Sequence, residues 1–519
     1  MLSIHSTSKK TGAVISYVYL ALNSISSILL TPFLLKRLGV DEYGIYQMIY
    51  SIGSYILILD LGIGTVMVRY ISEYRARGDS GRERNFSGIM AIITAAICFA
   101  VFLIGMMINN NLESIFKGLS TEDYIISHRM FYLMIYLFVV TIMDHYVQGV
   151  LSAYERFVFI KVTGVIRISL ALLLTIFFVL LGWGSVGIVF ANALSITIMT
   201  VIDILYAFRF LNFKIEFTHL DKAILFPVSG LMLAMLLQAV VGHINSSADK
   251  TILGIMCNPV DVTIYSIAAS IITLFNTIPS VISGLFQPQV TSMVVKGTNG
   301  RTLTDLVIRV GRWQFLLCGA FLSCMFLFGM DFLNLWIGGR LTENEKSFSL
   351  LIMLIILPFN MIPLIQNVCI SILNAYDKRL YRSLILFLVC LINILLTIEG
   401  VNIWGPIGAP IGTALSYFIG YVIILNIYYS KSLKLEITRM FKGILSRSWI
   451  CILSCTLICF PLTYWSIDSW SLLFIKGCIY ILVFSMLIYC FALNEEEKGI
   501  CDGYINTIHC IFFRNQKKH

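Results

Sequence analysis

The stretch VTGVIRISLALLLTIFFVLLG, Val162 to Gly182, decides what kind of fold this chain can adopt. It holds one charge, Arg167, and no proline. A helix rises about 1.5 Å per residue, so about 20 apolar residues cross a hydrocarbon core of about 30 Å. In such a core only a helix or a closed barrel satisfies its own backbone, and an unbroken apolar run of this length fits the helix. The segment reads as a membrane span.

Working outward, the same pattern recurs almost end to end. Of 519 residues 58% are hydrophobic and 13% charged, with a mean hydropathy of +0.87, a balance that no water-soluble domain can bury. The expected fold is an all-α membrane protein with about 14 transmembrane helices. They fall at 12–35, 44–68, 87–108, 130–152, 162–182, 184–208, 222–244, 262–287, 306–330, 348–373, 383–403, 405–429, 448–466 and 470–493. The first is too long for a secretory leader and lacks a cleavage site, so it is read as retained. Apolar character after the seventh continues past Asp249-Lys250 to Met256, which suggests a long, tilted helix.

Most of the 37 Lys and Arg gather in alternate loops and at both termini, which places the termini in the cytoplasm. The net charge of +9 is then an orientation signal that suits anionic lipid headgroups, with no indication of nucleic acid. Thirteen cysteines, scattered through apolar segments without a CxxC pair, argue against a disulfide framework or a metal site. Cys451, Cys455 and Cys459 share a helix face and read as core packing.

The chain also repeats itself. Gly44-Ile45-Tyr46 matches Thr263-Ile264-Tyr265. Leu151-x-Ala153-Tyr154-Glu155-Arg156 matches Leu373-x-Ala375-Tyr376-Asp377-Lys378. Trp183-Gly184-x-Val186-Gly187, followed by Ala193-Leu194-Ser195, matches Trp404-Gly405-x-Ile407-Gly408, followed by Ala414-Leu415-Ser416. All three share a spacing of about 220 residues, which contains six spans and leaves both copies pointing the same way. Two parallel six-helix lobes, residues 1–215 and 216–435, are expected around a central cavity, with residues 436–519 adding two helices and a tail. Rocking of one lobe against the other would give alternating access. The tail, Asn494 to His519, has an apolar centre between charged ends and reads as a short amphipathic helix on the membrane.

The segment TPFLLKRLGVDEYGIYQMIYSIGSYILILDLGIGTVMVRYISEYRARGD, Thr31 to Asp79, resembles the start of the polysaccharide exporters of the multidrug/oligosaccharidyl-lipid/polysaccharide exporter superfamily. The resemblance rests on a proline ending span one, a Leu38-Gly39…Tyr43-Gly44 turn, an Asp60-Leu61-Gly62 run and a basic exit from span two. It extends to Asp249-Lys250, which is similar to that family's acidic and basic pair. It implies an O-antigen or capsule type flippase of the cell inner membrane, active in lipopolysaccharide or capsule biosynthesis. Its cargo would be an undecaprenyl-pyrophosphate-linked oligosaccharide, moved from the cytoplasmic to the outer leaflet. Expected partners are that lipid-linked oligosaccharide, the bilayer and other polysaccharide-assembly membrane proteins. No organic cofactor is expected, and H+ or Na+ is the expected coupling ion. A cation-coupled multidrug or other lipid-linked precursor exporter of the same superfamily is the alternative. An enzyme is not expected, because no outside loop is long enough to carry a nucleophile and base.

Ionisable groups at membrane depth are costly and face a cavity or a partner helix. Asp144 and His145 lie within span four, and the repeat places Gln366 and Asn367 at the equivalent point of span ten. These four are candidates for hydrogen bonding to sugar hydroxyls, or for bonds between helices. Arg167 is the best candidate for holding a pyrophosphate by paired hydrogen bonds, ahead of Arg69, Arg309 and Arg312. The alternative for all four arginines is anchorage at lipid phosphates. Asp60, beside Gly62 and Gly64, is either a protonatable coupling site or a cap in a weakened helix. Asp249 and Lys250 are neighbours that cannot face each other on a helix, so one of them is expected to face the cavity. Pro279, Pro358 and Pro363 lie within spans eight and ten, where bending could serve lobe motion.

Overall fold

In the computed structural model, residues 2–217, 222–465, 467, 469–493, 495 and 498–499 are described. Among them every regular element is helical. The amphipathic tail expected over Asn494 to His519 lies outside the described residues, apart from Glu495, Lys498 and Gly499.

Among the described residues, twelve helical stretches are long and apolar enough to cross a membrane. Two are much longer than the rest, Ser26–Ala76 with 51 residues and Leu380–Leu433 with 54. Each would rise roughly 75–80 Å if straight, against about 30 Å for one crossing. Both are interrupted. The first leaves helical geometry at Gly39 (φ 85, ψ 177) and again after Asp60, and the second breaks at Gly405 (φ 68) and passes through a π-helical turn, Phe418–Ile424. Pro32, expected to end span one, instead lies inside the helix Leu2–Ser54. The Thr31 hydroxyl donates to the Ser27 carbonyl there, and the helix runs on to Gly39.

Two of the three repeated segments fold alike. Leu151 and Leu373 accept from the backbone N–H of Arg156 and Lys378 respectively, each at 3.0 Å. Between them Glu155 (φ 59) and Asp377 (φ 55) take the left-handed conformation that ends a helix. Both Trp-Gly turns also have positive φ, at Gly184 (54) and Gly405 (68).

The chain divides into two compact units. One comprises Met1–Leu274, Gly339–Ile352 and Arg379–Gly420, and the other Phe275–Gly338, Met353–Lys378 and Tyr421–His519. In the first, the helix Thr121–Ala153 packs on Gly184–Phe210 and on Ile63–Ala76. Lipid offers apolar helices no hydrophobic gain on association, so small residues and polar bonds hold them together. Gly149 shows the first device: a Cβ there would stand 2.8 Å from the Gly64 carbonyl oxygen. Ser51 with Thr251 (2.9 Å) and Ser54 with Ser247 (3.0 Å) show the second.

In the other unit the helix Gly300–Ile337 packs on Ile437–Leu445, Ser448–Cys459 and Trp470–Leu487. Cys451, Cys455 and Cys459 are buried there with Leu316, Tyr480 and Phe484. Tyr480 hydrogen-bonds Ser323, and the buried Lys476 ammonium donates to Asp331 (3.1 Å) and to the Trp465 carbonyl (2.6 Å).

Candidate functional site

The first unit gathers four of the residues that sequence reasoning selected. The cause begins at a break in span two. A short 3-10 turn, Tyr55–Asp60, ends in two left-handed residues, Leu61 (φ 52) and Gly62 (φ 68), before the helix resumes at Ile63. Gly62 is needed twice over, since a Cβ would also stand 2.6 Å from the Met235 Cβ. There the Asp60 carboxylate meets the helix Thr121–Ala153, its Oδ1 lying 3.2 Å from His145 Nδ1.

His145 follows Asp144 directly, so the two side chains leave the helix Thr121–Ala153 in different directions. Asp144 is 1% exposed and accepts three hydrogen bonds. Its Oδ2 accepts from Arg167 Nη1 at 3.0 Å and from Gln148 Nε2 at 2.8 Å, and its Oδ1 accepts from Thr200 Oγ1 at 3.1 Å. Asp203, also 1% exposed, lies within electrostatic reach of both Asp144 and Arg167. Its Oδ1 has no hydrogen-bond partner among the described residues. Three carboxylates thus share one guanidinium and one imidazole. The cluster reaches the surface through the side chains of His145 and Arg167, which are 42% and 27% exposed.

Asp249 and Lys250 turn away from each other, as neighbours on a helix must. Asp249 is enclosed: Tyr265 donates to it, as do Thr413 at 2.7 Å and Thr397 at 3.3 Å. Lys250 is half-buried and donates to Gln47 Oε1 at 3.1 Å, while Gln47 Nε2 donates to the Tyr43 hydroxyl at 2.9 Å.

The other unit holds Gln366 and Asn367. Span ten breaks at Gln366, between the helices Glu343–Ile365 and Asn367–Ala375. Gln366 is buried and donates to Asn426 Oδ1 at 3.0 Å, and Asn367 stays half-buried at the start of the second helix. Arg312 is buried with its guanidinium donating to the Ala492 carbonyl, a bond inside the protein where lipid anchorage was one expectation. A depression of about 870 Å³ in the same unit is lined by Ser430, Glu436, Thr438, Arg439 and Lys442. Its Arg439 is already paired with Asp305 at 2.7 Å.

Sequence reasoning passed over Thr200, Asp203, Gln47, Thr397 and Thr413. Asp203 carried a usable signal, an acid inside an apolar span. The threonines and Gln47 carried none, because hydroxyls and amides are ordinary in membrane helices.

Comparison with curated proteins finds no match. Among solved structures, the chain is similar to the lipid II flippase MurJ in an inward closed conformation. The two share 15% identity and a TM-score of 0.70, over 92% of this chain and 97% of that one. It is similar also to an inward-facing multidrug resistance transporter of the MATE family, MOP superfamily, at 14% identity and TM-score 0.65, over 80% and 95% of the two chains. A third is the Vibrio cholerae MATE transporter VcmN in its bent form, at 16% identity and TM-score 0.55, over 83% and 98%. These likenesses give the fold, that of flippases and transporters. Residues 9–289 match the family model described as polysaccharide biosynthesis protein, more than half of the sequence, and the chain therefore belongs to the polysaccharide biosynthesis protein family.

Proposed function

We propose that this protein is a flippase that turns an undecaprenyl-pyrophosphate-linked oligosaccharide from the cytoplasmic to the outer leaflet of the cell inner membrane, driven by protons. The reading takes about 14 crossings, two six-helix lobes (residues 1–215 and 216–435), residues 436–519 outside the repeat, and cytoplasmic termini. The family and the fold support a membrane transport role in polysaccharide synthesis.

The observation that carries the coupling is the charge balance around Asp144. Two buried carboxylates at membrane depth, Asp144 and Asp203, stand against one permanent cation, Arg167, and leave a negative charge that needs compensation. Protons or a cation must supply it. Protonating Asp144 weakens its hold on Arg167, and the guanidinium then turns its donors to a phosphate of the cargo. Deprotonation takes the guanidinium back and releases the cargo. Proton and cargo are thereby linked through a single ion pair.

The test is restoration of surface polysaccharide in a strain lacking its own flippase, expressed as export per inserted molecule. The wild-type protein should restore it. Failure to do so, together with lower accumulation of cationic dyes, would instead support the multidrug exporter.

A further inference from the structure

Span two carries a stripe that neither the repeat nor the acid cluster explains. Tyr43, Tyr46, Gln47, Tyr50 and Ser54 fall at helical spacing on one face of Leu2–Ser54. The ring centroids of Tyr43 and Tyr46 are 6.3 Å apart and those of Tyr46 and Tyr50 6.0 Å, both tilted. Burial falls along the ladder: Tyr43 is 3% exposed, Tyr46 partly exposed and Tyr50 39% exposed. Tyr265, the repeat partner of Tyr46, is instead buried against Asp249.

On this same face, held through Gln47, stands Lys250. Its ammonium, with three donor positions, has a neutral amide, Gln47 Oε1, as its hydrogen-bond acceptor among the described residues. The adjacent carboxylate, Asp249, is committed to Tyr265, Thr397 and Thr413 and does not neutralise it. Gln47 is itself fixed, one end on Lys250 and the other on Tyr43. A half-buried, unneutralised ammonium facing hydrocarbon is expensive, so this face belongs to an aqueous or ligand-bearing surface. Half-exposed rings beside it are then not lipid-facing packing.

We propose that Tyr46, Tyr50 and Lys250 form a saccharide subsite, the two rings stacking on the apolar face of a pyranose while the ammonium meets an anionic oxygen or hydroxyl of the same cargo. The chemistry is two-sided. A sugar ring presents axial C–H groups that suit the electron-rich face of an aromatic, and its rim carries oxygens that suit an ammonium. Gln47 acts as a positioning residue that holds the ammonium beside the rings. The inference rests on the flippase reading and names where that cargo's sugar is held.

The experiment is the same export assay, per inserted molecule, with Tyr46→Leu/Tyr50→Leu, Tyr46→Phe/Tyr50→Phe and Lys250→Met. The Leu pair should cut export about tenfold, while the Phe pair, which keeps both rings, retains at least about half. Lys250→Met should lower export as well. As a second readout, Tyr50→Cys, with the native cysteines retained as background, should gain maleimide labelling. That labelling should be shielded when lipid-linked oligosaccharide accumulates in cells that lack the downstream polymerising step. Equal export by Leu and Phe pairs, or labelling unaffected by the cargo, overturns the subsite while wild-type export upholds the flippase. Absence of export by the wild type overturns both.

Discussion

Removing the guanidinium of Arg167 leaves Asp144 buried with two neutral donors, Gln148 and Thr200, and no countercharge from Arg167. Breaking such a pair costs about 3 kcal/mol or more, because the remaining charge keeps its desolvation penalty. Arg167→Ala should therefore lower the unfolding midpoint of the purified protein and abolish export. Arg167→Ala combined with Asp144→Asn should recover most of the stability and none of the export. Arg167→Lys should keep part of both, since the charge remains and the planar two-point hydrogen bonding does not. If Arg167→Ala exported normally per inserted molecule, the guanidinium would be an anchor only. At this scale the sequence was informative where cost made it so. Asp60, Asp144, His145 and Arg167 stood out because ions are rare at membrane depth, and these four meet in one cluster. What ties Asp249 down, Thr397 and Thr413 on distant segments, was invisible because threonine is ordinary in a membrane helix.

The helices are bounded by backbone geometry more than by polarity. Glu155 and Asp377 close their helices in the left-handed conformation, which costs a non-glycine residue about 1 kcal/mol. Glu155→Gly should be neutral or stabilising by up to about 1 kcal/mol, and Glu155→Val destabilising by more than that. Thermal unfolding in detergent measures both. Tyr154 beside it donates to Glu83 at 2.6 Å under the Arg75 guanidinium, and burial with the Glu83 charge pushes its phenol up to about 12, so that bond persists across physiological pH. Gly62→Ala meets both a positive φ and the Met235 side chain, and should impair folding of the span-two break more than Gly78→Ala, whose Cβ site is open although its φ is also positive. The repeat was readable in the sequence because such turns demand particular residues. The break after Asp60 was readable only as a glycine-rich weakness, since the close approach of Met235 that leaves no room for a Cβ at Gly62 comes from another helix.

For the molecule as a whole, the distribution of Lys and Arg makes the sharpest statement. With cytoplasmic termini and an even number of spans per repeat, as proposed above, the loops near residues 80, 215 and 300 would lie on one side and those near 118 and 342 on the other. Reporters that fluoresce only in the cytoplasm should be bright when fused after 80, 215, 300 and 519, and dark after 118 and 342. The fusion pair 300 and 342 is decisive, because the helix Gly300–Ile337 between them, 38 residues without an internal break, is long and apolar enough for one crossing. Two bright or two dark fusions there would mean that this helix does not cross, and would remove the parallel order of the second repeat. The pair 80 and 118 tests the first repeat in the same way through Ser80–Asn110. Agreement of both pairs gives the two copies the same orientation, which the three sequence matches require and which a parallel two-lobe transporter needs in order to rock. Inversion of every signal would keep the copies parallel while moving the basic exit of span two to the outer face, and the proposed direction of transport would then have to be reversed.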